Sequence, residues 1–184
     1  PTGKRHKNPE YAAMIQSVDE AIGRVRAQLK ESGIADRTLI VFTSDNGGVR
    51  RNTSNNDPLR GEKGQHWEGG TRVPAIVLWP GVTPAGSVCQ EPVITMDFYP
   101  TILDITGVAG NTDHNQNVDG LSLVPLLKDP AASLDREALY WHYPHYNVFI
   151  GVPYSAIRVG EYKLIHCYED GHDELYNLAE DLSE

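Results

Sequence analysis

Apolar side chains recur near the start of the chain at Tyr11, Ile15, Val18, Ile22, Val25 and Leu29, alternately four and three residues apart. That spacing brings each of them back to one side of an α-helix and predicts a helix with a single apolar stripe. Asn8-Pro9 opens it, with Asn as the cap and Pro at the first helical position, and Gly33 closes it as a left-handed cap. After a turn at Asp36-Arg37, the run Thr38-Leu39-Ile40-Val41-Phe42-Thr43 has no polar alternation, which is the pattern of a buried, parallel strand. Residues 44–72 then lose all hydrophobic period and fill with Gly, Asn, Arg and Asp. A loop so much longer than the usual ~4 to 6 residues is expected to be functional or disordered.

Residues 74–79 return as a second apolar strand stopped by Pro80-Gly81. Val93-Ile94 leads into Met96-Asp97, where Asp97 is placed to cap a short helix carrying Tyr99, Ile102, Leu103 and Ile105 up to Gly107. Residues 110–119 are polar and turn-like, and Leu121, Leu123, Leu126 and Leu127 form a short apolar segment before Asp129-Pro130. From there the pattern changes to short strands over residues 138–143, 155–159, 162–167 and 174–178. Gly160-Glu161 and Asp170-Gly171-His172 suit hairpin turns, so the last four strands are expected to form an antiparallel sheet. The expected organisation is an α/β part over 1–130 followed by an antiparallel subdomain over 131–184.

With 40% hydrophobic and 22% charged residues in 184, the chain has the composition of a globular protein with material for a core. The longest apolar runs, such as Ala75-Ile76-Val77-Leu78-Trp79, fall far short of the ~20 residues a membrane helix needs, so no membrane span is expected. The chain opens Pro-Thr-Gly-Lys-Arg with neither Met nor an apolar leader, and so reads as a fragment whose secretory signal, if the parent has one, lies elsewhere. The net charge of −9 is uneven: residues 1–72 carry 12 basic and 9 acidic side chains, residues 73–184 carry 4 and 16. The acidic half is accounted for by solubility, whereas the first half is a place to meet an anion. No nucleic-acid partner is expected, because no basic stripe with interleaved aromatics occurs. Cys89 and Cys167 are too isolated for a zinc ribbon or a dense disulfide framework, leaving one disulfide or two free thiols.

Two stretches carry chemistry. Asp45 and Asn46 follow directly on the first strand, where open α/β sheets bind ligands, and they offer hard oxygens suited to Ca²⁺ or Mg²⁺. Alone, the string is equally an ordinary Asn-Gly turn. The long loop then presents Arg50, Arg51, Arg60, Lys63, His66 and Arg72 against only Asp57, Glu62 and Glu68. It is either a solvated basic loop or a site for a tetrahedral oxyanion, and its departure from the two candidate metal ligands favours the second.

The strings TLIVFTSDNGG, LRGEKGQHWEGGTRVPAIVLWPG, MDFYPTILDITG, DGLSLVPLL, AIRVGEYKLI and ELYNLAED together resemble the carboxyl-terminal part of a type I sulfatase of the alkaline-phosphatase superfamily. The order and spacing match over nearly the whole chain. The resemblance implies an α/β fold: the end of an alkaline-phosphatase-like sheet domain, then a small antiparallel β-sheet plus helix. It implies a sulfuric ester hydrolase that holds one Ca²⁺ (Mg²⁺ being possible) and uses a formylglycine made from Cys or Ser. Asp45 and Asn46 fall on the family's metal ligands, and Lys63 on the lysine that contacts sulfate in catalysis and substrate binding. His142 and His145, in W-H-Y-P-H-Y, are further candidates for contact with the sugar or aryl group. The implied partners are a sulfated small molecule or glycan and the rest of the chain's own catalytic domain, in a secreted or periplasmic setting.

The chain also departs from that pattern. A formylglycine needs C/S-x-P-x-R, and neither Cys89, before Gln90-Glu91-Pro92, nor Cys167, before Tyr168-Glu169-Asp170, fits. The family's other metal carboxylates precede the region covered, so this polypeptide is expected to hold half a metal site and no nucleophile. A phosphodiesterase or phosphonate monoester hydrolase of the same superfamily is the nearest alternative, and a non-catalytic sulfated-glycan-binding domain is the other.

Overall fold

A computed structural model describes residues 8–49, 54–146 and 151–184. Helix α1 spans Pro9–Glu31. The Asn8 side chain accepts hydrogen bonds from the Glu10 and Tyr11 amides at 2.8 and 3.2 Å, meeting two of the donors that a helix start leaves without partners. At the other end Gly33 takes φ +65°, and the Ile34 amide donates to Leu29 O while that of Gly33 donates to Lys30 O. This is the Schellman closure that only a residue tolerant of positive φ makes cheaply. The predicted stripe is present but uncovered: no residue of α1 is buried, and Ile15 and Val25 are 54% and 59% exposed.

Strand β1 (Ile40–Thr43) pairs with β2 (Ala75–Leu78) in a two-stranded sheet, with the four-residue helix α2 (Glu68–Thr71) between them in sequence. Val41, Phe42, Ile76 and Leu78 are exposed. The burial expected of the first strand is therefore not met by any described residue. Residues 54–72 form a defined loop that includes α2, a helix the hydrophobic pattern gave no sign of, because its own sequence, Glu-Gly-Gly-Thr, has no apolar face.

Helix α3 runs Phe98–Thr106 and ends at Gly107 with φ +67°, as predicted. Asp97 does not cap it. The fully buried carboxylate instead accepts from the Ile94 amide, closing the 3-10 turn Thr95–Asp97, and from the Leu121 amide at 2.9 Å, and it pairs with the Arg136 guanidinium. A residue with the right local signature for a cap has been taken over by partners 24 and 39 positions away. Two short helices follow, α4 (Thr112–Asn115) and α5 (Val124–Lys128), the second burying Val124 and Leu126.

The last four strands, β3 (Leu139–Tyr143), β4 (Tyr154–Val159), β5 (Tyr162–Cys167) and β6 (Asp173–Asn177), form an antiparallel sheet in the order β3-β4-β5-β6. Their inward side chains Tyr154, Ala156, Ile165 and Cys167 make the largest core, joined by Trp67 of the long loop. By compactness the sheet, from Ala138 to Glu184, groups with Phe42–Ile76 and with residues up to Ile34, and Ala35–Val41 with Val77–Glu137 makes a second unit. The chain is thus mixed α/β. No described helix is long and apolar enough to cross a membrane.

Candidate functional site

Beyond β1, the Ser44-to-Gly48 turn is packed backbone against backbone on α2. The Gly47 amide donates to Gly70 O at 3.0 Å, and a Cβ at Gly47 would fall on the carbonyl of Gly69. A Cβ at Gly69 would in turn collide with the carbonyl oxygens of Arg60 and Gly61. Gly47 therefore lacks a side chain because the E-G-G backbone occupies the space, and Gly69 lacks one because the Arg60-Gly61 backbone does. Asn56 adds a staple. It accepts from the Gly48 amide at 3.0 Å and donates to Gly48 O and Gly61 O at 2.9 and 3.0 Å.

This packing sets two groups on adjoining turns. Asp45 is exposed and has no partner among the described residues. Asn46 donates its amide to Gly47 O at 2.9 Å, leaving Oδ1 as the atom open to a cation. Lys63 stands at the tip of the loop 60–69, exposed, its ammonium likewise free among the described residues, and its backbone amide reaches Gly48 O at 3.4 Å. The base of that loop is closed by the Gly69 amide donating to Arg60 O at 2.7 Å. Arg50 and Arg51 lie outside the described residues.

The two histidines separate. His142 is exposed on β3, on the face opposite Trp141 and Tyr143, with Nδ1 2.8 Å from Ser155 Oγ. The structure does not bring it to Lys63. His145, beyond the end of β3, lies with its ring 5.7 Å from Tyr143, whose ring is 5.8 Å from that of Tyr154. Tyr154 in turn faces His66, which is on the Lys63 loop, at 5.1 Å.

His66 was legible only as one more basic residue, yet it is 5% exposed and both ring nitrogens are buried without a hydrogen-bond partner among the described residues. Burial pushes its pKa from 6.5 down to about 4; Glu174 opposes the shift, and Lys163, Arg60 and His172 add to it. Glu174 itself would be raised by burial, but hydrogen bonds from Trp67 and Tyr176 and the charge of Arg60 hold it below the usual range. Cys89 and Cys167 are free thiols, the first exposed and the second buried, with burial pushing the Cys167 thiol up. The described residues contain no cluster of three or more His, Cys, Asp or Glu able to hold a metal, so Asp45 and Asn46 stand as a pair.

Two family profiles match this chain, one for sulfatases over residues 1–108 and one for the N-sulphoglucosamine sulphohydrolase C-terminal region over residues 62–184. A sulfatase of Formosa agariphila is 40% identical over 195 residues, covering 98% of this chain and 35% of its own length. Among solved structures, Ps i-CgsB in complex with k-i-k-neocarrahexaose matches 97% of the chain and 39% of its own, at 34% identity and a TM-score of 0.80. A protein solved in complex with its substrate D-glucosamine-2-N,6-O-disulfate matches 94% and 34%, at 31% identity and a TM-score of 0.75. The chain belongs to the sulfatase family, and it spans about a third of the length of these relatives.

Proposed function

We propose that this chain is the carboxyl-terminal part of a sulfuric ester hydrolase acting on a sulfated carbohydrate or aryl sulfate, and that Asp45, Asn46 and Lys63 are its share of the active site. The observation that carries the reading is the packing of the Ser44-to-Gly48 turn on the loop 60–69, which puts the residues Asp45 and Lys63, whose side chains have no partners among the described residues, on adjoining turns. Opposite charges left free on neighbouring turns suit a ligand that bridges a cation and an anion.

Asp45 and the Oδ1 of Asn46 fit a calcium ion as far as they go, being hard oxygens with no competing partner among the described residues. Ca²⁺ takes about 6 to 8 such ligands, so the remaining donors belong to other parts of the intact enzyme. When bound, the ion supplies Lewis-acid stabilisation of negative oxygens. Mg²⁺ is the alternative for the same pair. Lys63, as a compact point charge on a flexible stem, binds sulfate oxygens and orients the ester. The nucleophile, a formylglycine in this reading, is not among these residues, since neither cysteine has the required context.

The substrate class is supported by relatives solved with k-i-k-neocarrahexaose and with D-glucosamine-2-N,6-O-disulfate. On this reading His142 and His145, both exposed, are outlying candidates for contact with the sugar or aryl group. The uncovered stripe of α1 and the open faces of β1 and β2 mark where the rest of the catalytic domain packs. The test is turnover by the intact enzyme of a sulfated oligosaccharide or aryl sulfate beside a matched phosphonate monoester. Preference for the sulfate ester is expected, and preference for the phosphonate would move the assignment to the phosphoester hydrolases of the superfamily.

A further inference from the structure

The motifs AIRVGEYKLI and ELYNLAED supply none of the groups of the proposed site, yet their side chains lie beneath the loop that carries Lys63. On the inner face of the sheet the register stacks three cross-strand rows: Leu139, Arg158, Lys163 and Tyr176; then Trp141, Ala156, Ile165 and Glu174; then Tyr143, Tyr154 and Cys167. Three consecutive loop residues address one row each. Glu68 Oε1 accepts from Lys163 Nζ at 2.9 Å, Trp67 Nε1 donates to Glu174 Oε2 at 2.8 Å, and the His66 ring lies 5.1 Å from that of Tyr154.

Glu184 locks the first row. Its Oε1 accepts from Lys163 at 2.8 Å and its Oε2 from the Glu68 amide at 2.5 Å. The near end of the loop is held as well: Arg60 donates to the Tyr176 hydroxyl at 2.8 Å and to Glu184 O at 2.6 Å, with its guanidinium 3.9 Å over the Trp67 ring.

The Lys163 side chain is 1% exposed, and the carboxylates of Glu68 and Glu184 are as deeply buried. Removing such ions from water costs several kcal/mol each, and apolar groups of the same shape are often as stable or more so. Stability alone therefore gives no reason for the trio. The role left for the trio is position, holding one register of the loop on the sheet.

We propose that Lys163 is a positioning residue for Lys63. Through Glu68 and Glu184 it fixes the base of the loop 60–69, so that the tip is held against the turn carrying Asp45 and Asn46. The antiparallel sheet is then the foundation of the sulfate-binding loop, which is the task of the Lys in E-Y-K-L-I. The inference rests on the assignment of Lys63 to sulfate, and a double-mutant cycle in the intact enzyme separates the two.

The variants are Lys63→Ala, Lys163→Met and the pair, with kcat/KM on a sulfate ester and inhibition by inorganic sulfate as readouts. Lys163→Met is expected to lower kcat/KM about 10- to 100-fold, the range seen when a supporting residue behind a functional group is lost, and to weaken inhibition by sulfate. In the Lys63→Ala background the same change is expected to cost little, because its effect acts through Lys63. Full multiplicative losses in the pair, or unchanged kinetics in folded Lys163→Met, overturn the positioning role. Near-normal turnover by Lys63→Ala alone overturns the functional reading beneath it. Should Lys163→Met fail to fold, Glu184→Gln, which keeps the shape of that side chain and removes its charge from Lys163, is run through the same cycle and judged by the same non-additivity.

Discussion

His66 shows how far a residue's role departs from its type. A histidine in a basic loop suggests an anion contact, but here the ring sits between Trp67 and Tyr154 with both nitrogens buried and without a hydrogen-bond partner among the described residues. Its pKa is lowered in the folded state, so the stability it contributes is present above pH 6.5 and is lost as the pH falls from 6.5 towards 4. The corresponding free energy is about 3 kcal/mol. His66→Phe removes both the orphaned nitrogens and the titration. Denaturant unfolding of the intact enzyme at pH 7.5 and pH 4.5 is expected to show the variant gaining about 2 to 3 kcal/mol on the wild type at the lower pH. Equal losses in both proteins would show that His66 is hydrated or paired in the fold.

At the scale of elements, the close approach of two glycine turns is the feature most exposed to a single change. Gly47→Ala drives a methyl into the carbonyl of Gly69, which as backbone has little room to move. A loss of about 3 kcal/mol or more is expected, measured as a shift of the unfolding midpoint of the intact enzyme. An unchanged midpoint would mean that the two turns do not pack as described. The pattern of apolar residues was enough to read α1 with both caps, and the four antiparallel strands to within a residue or so, because helix spacing and hairpin turns are local signals. The loop that carries Lys63 was legible as chemistry but not as structure. Its order comes from Asn56, from glycines facing glycines, and from Glu68 meeting a lysine 95 positions later. Asp97 follows the same rule, its local signature as a cap being overridden by Leu121 and Arg136.

At the scale of the whole molecule, the uneven charge and the uncovered apolar faces belong to one account. The excess of basic residues in the first part of the chain includes the loop that presents Lys63, and the helix ahead of it offers an apolar stripe to a partner. If that partner is the remainder of the catalytic domain, a cysteine introduced at Ile15 reacts slowly with a thiol reagent in the intact enzyme and quickly in the separate chain, against the exposed Cys89 as internal reference. Equal rates would leave the stripe without that partner. The most direct measurement of the central claim is kcat/KM of the intact enzyme on a sulfate ester with Lys63→Ala. The account predicts a loss of about 100- to 1000-fold with the unfolding midpoint unchanged, and turnover within about threefold of wild type would contradict it.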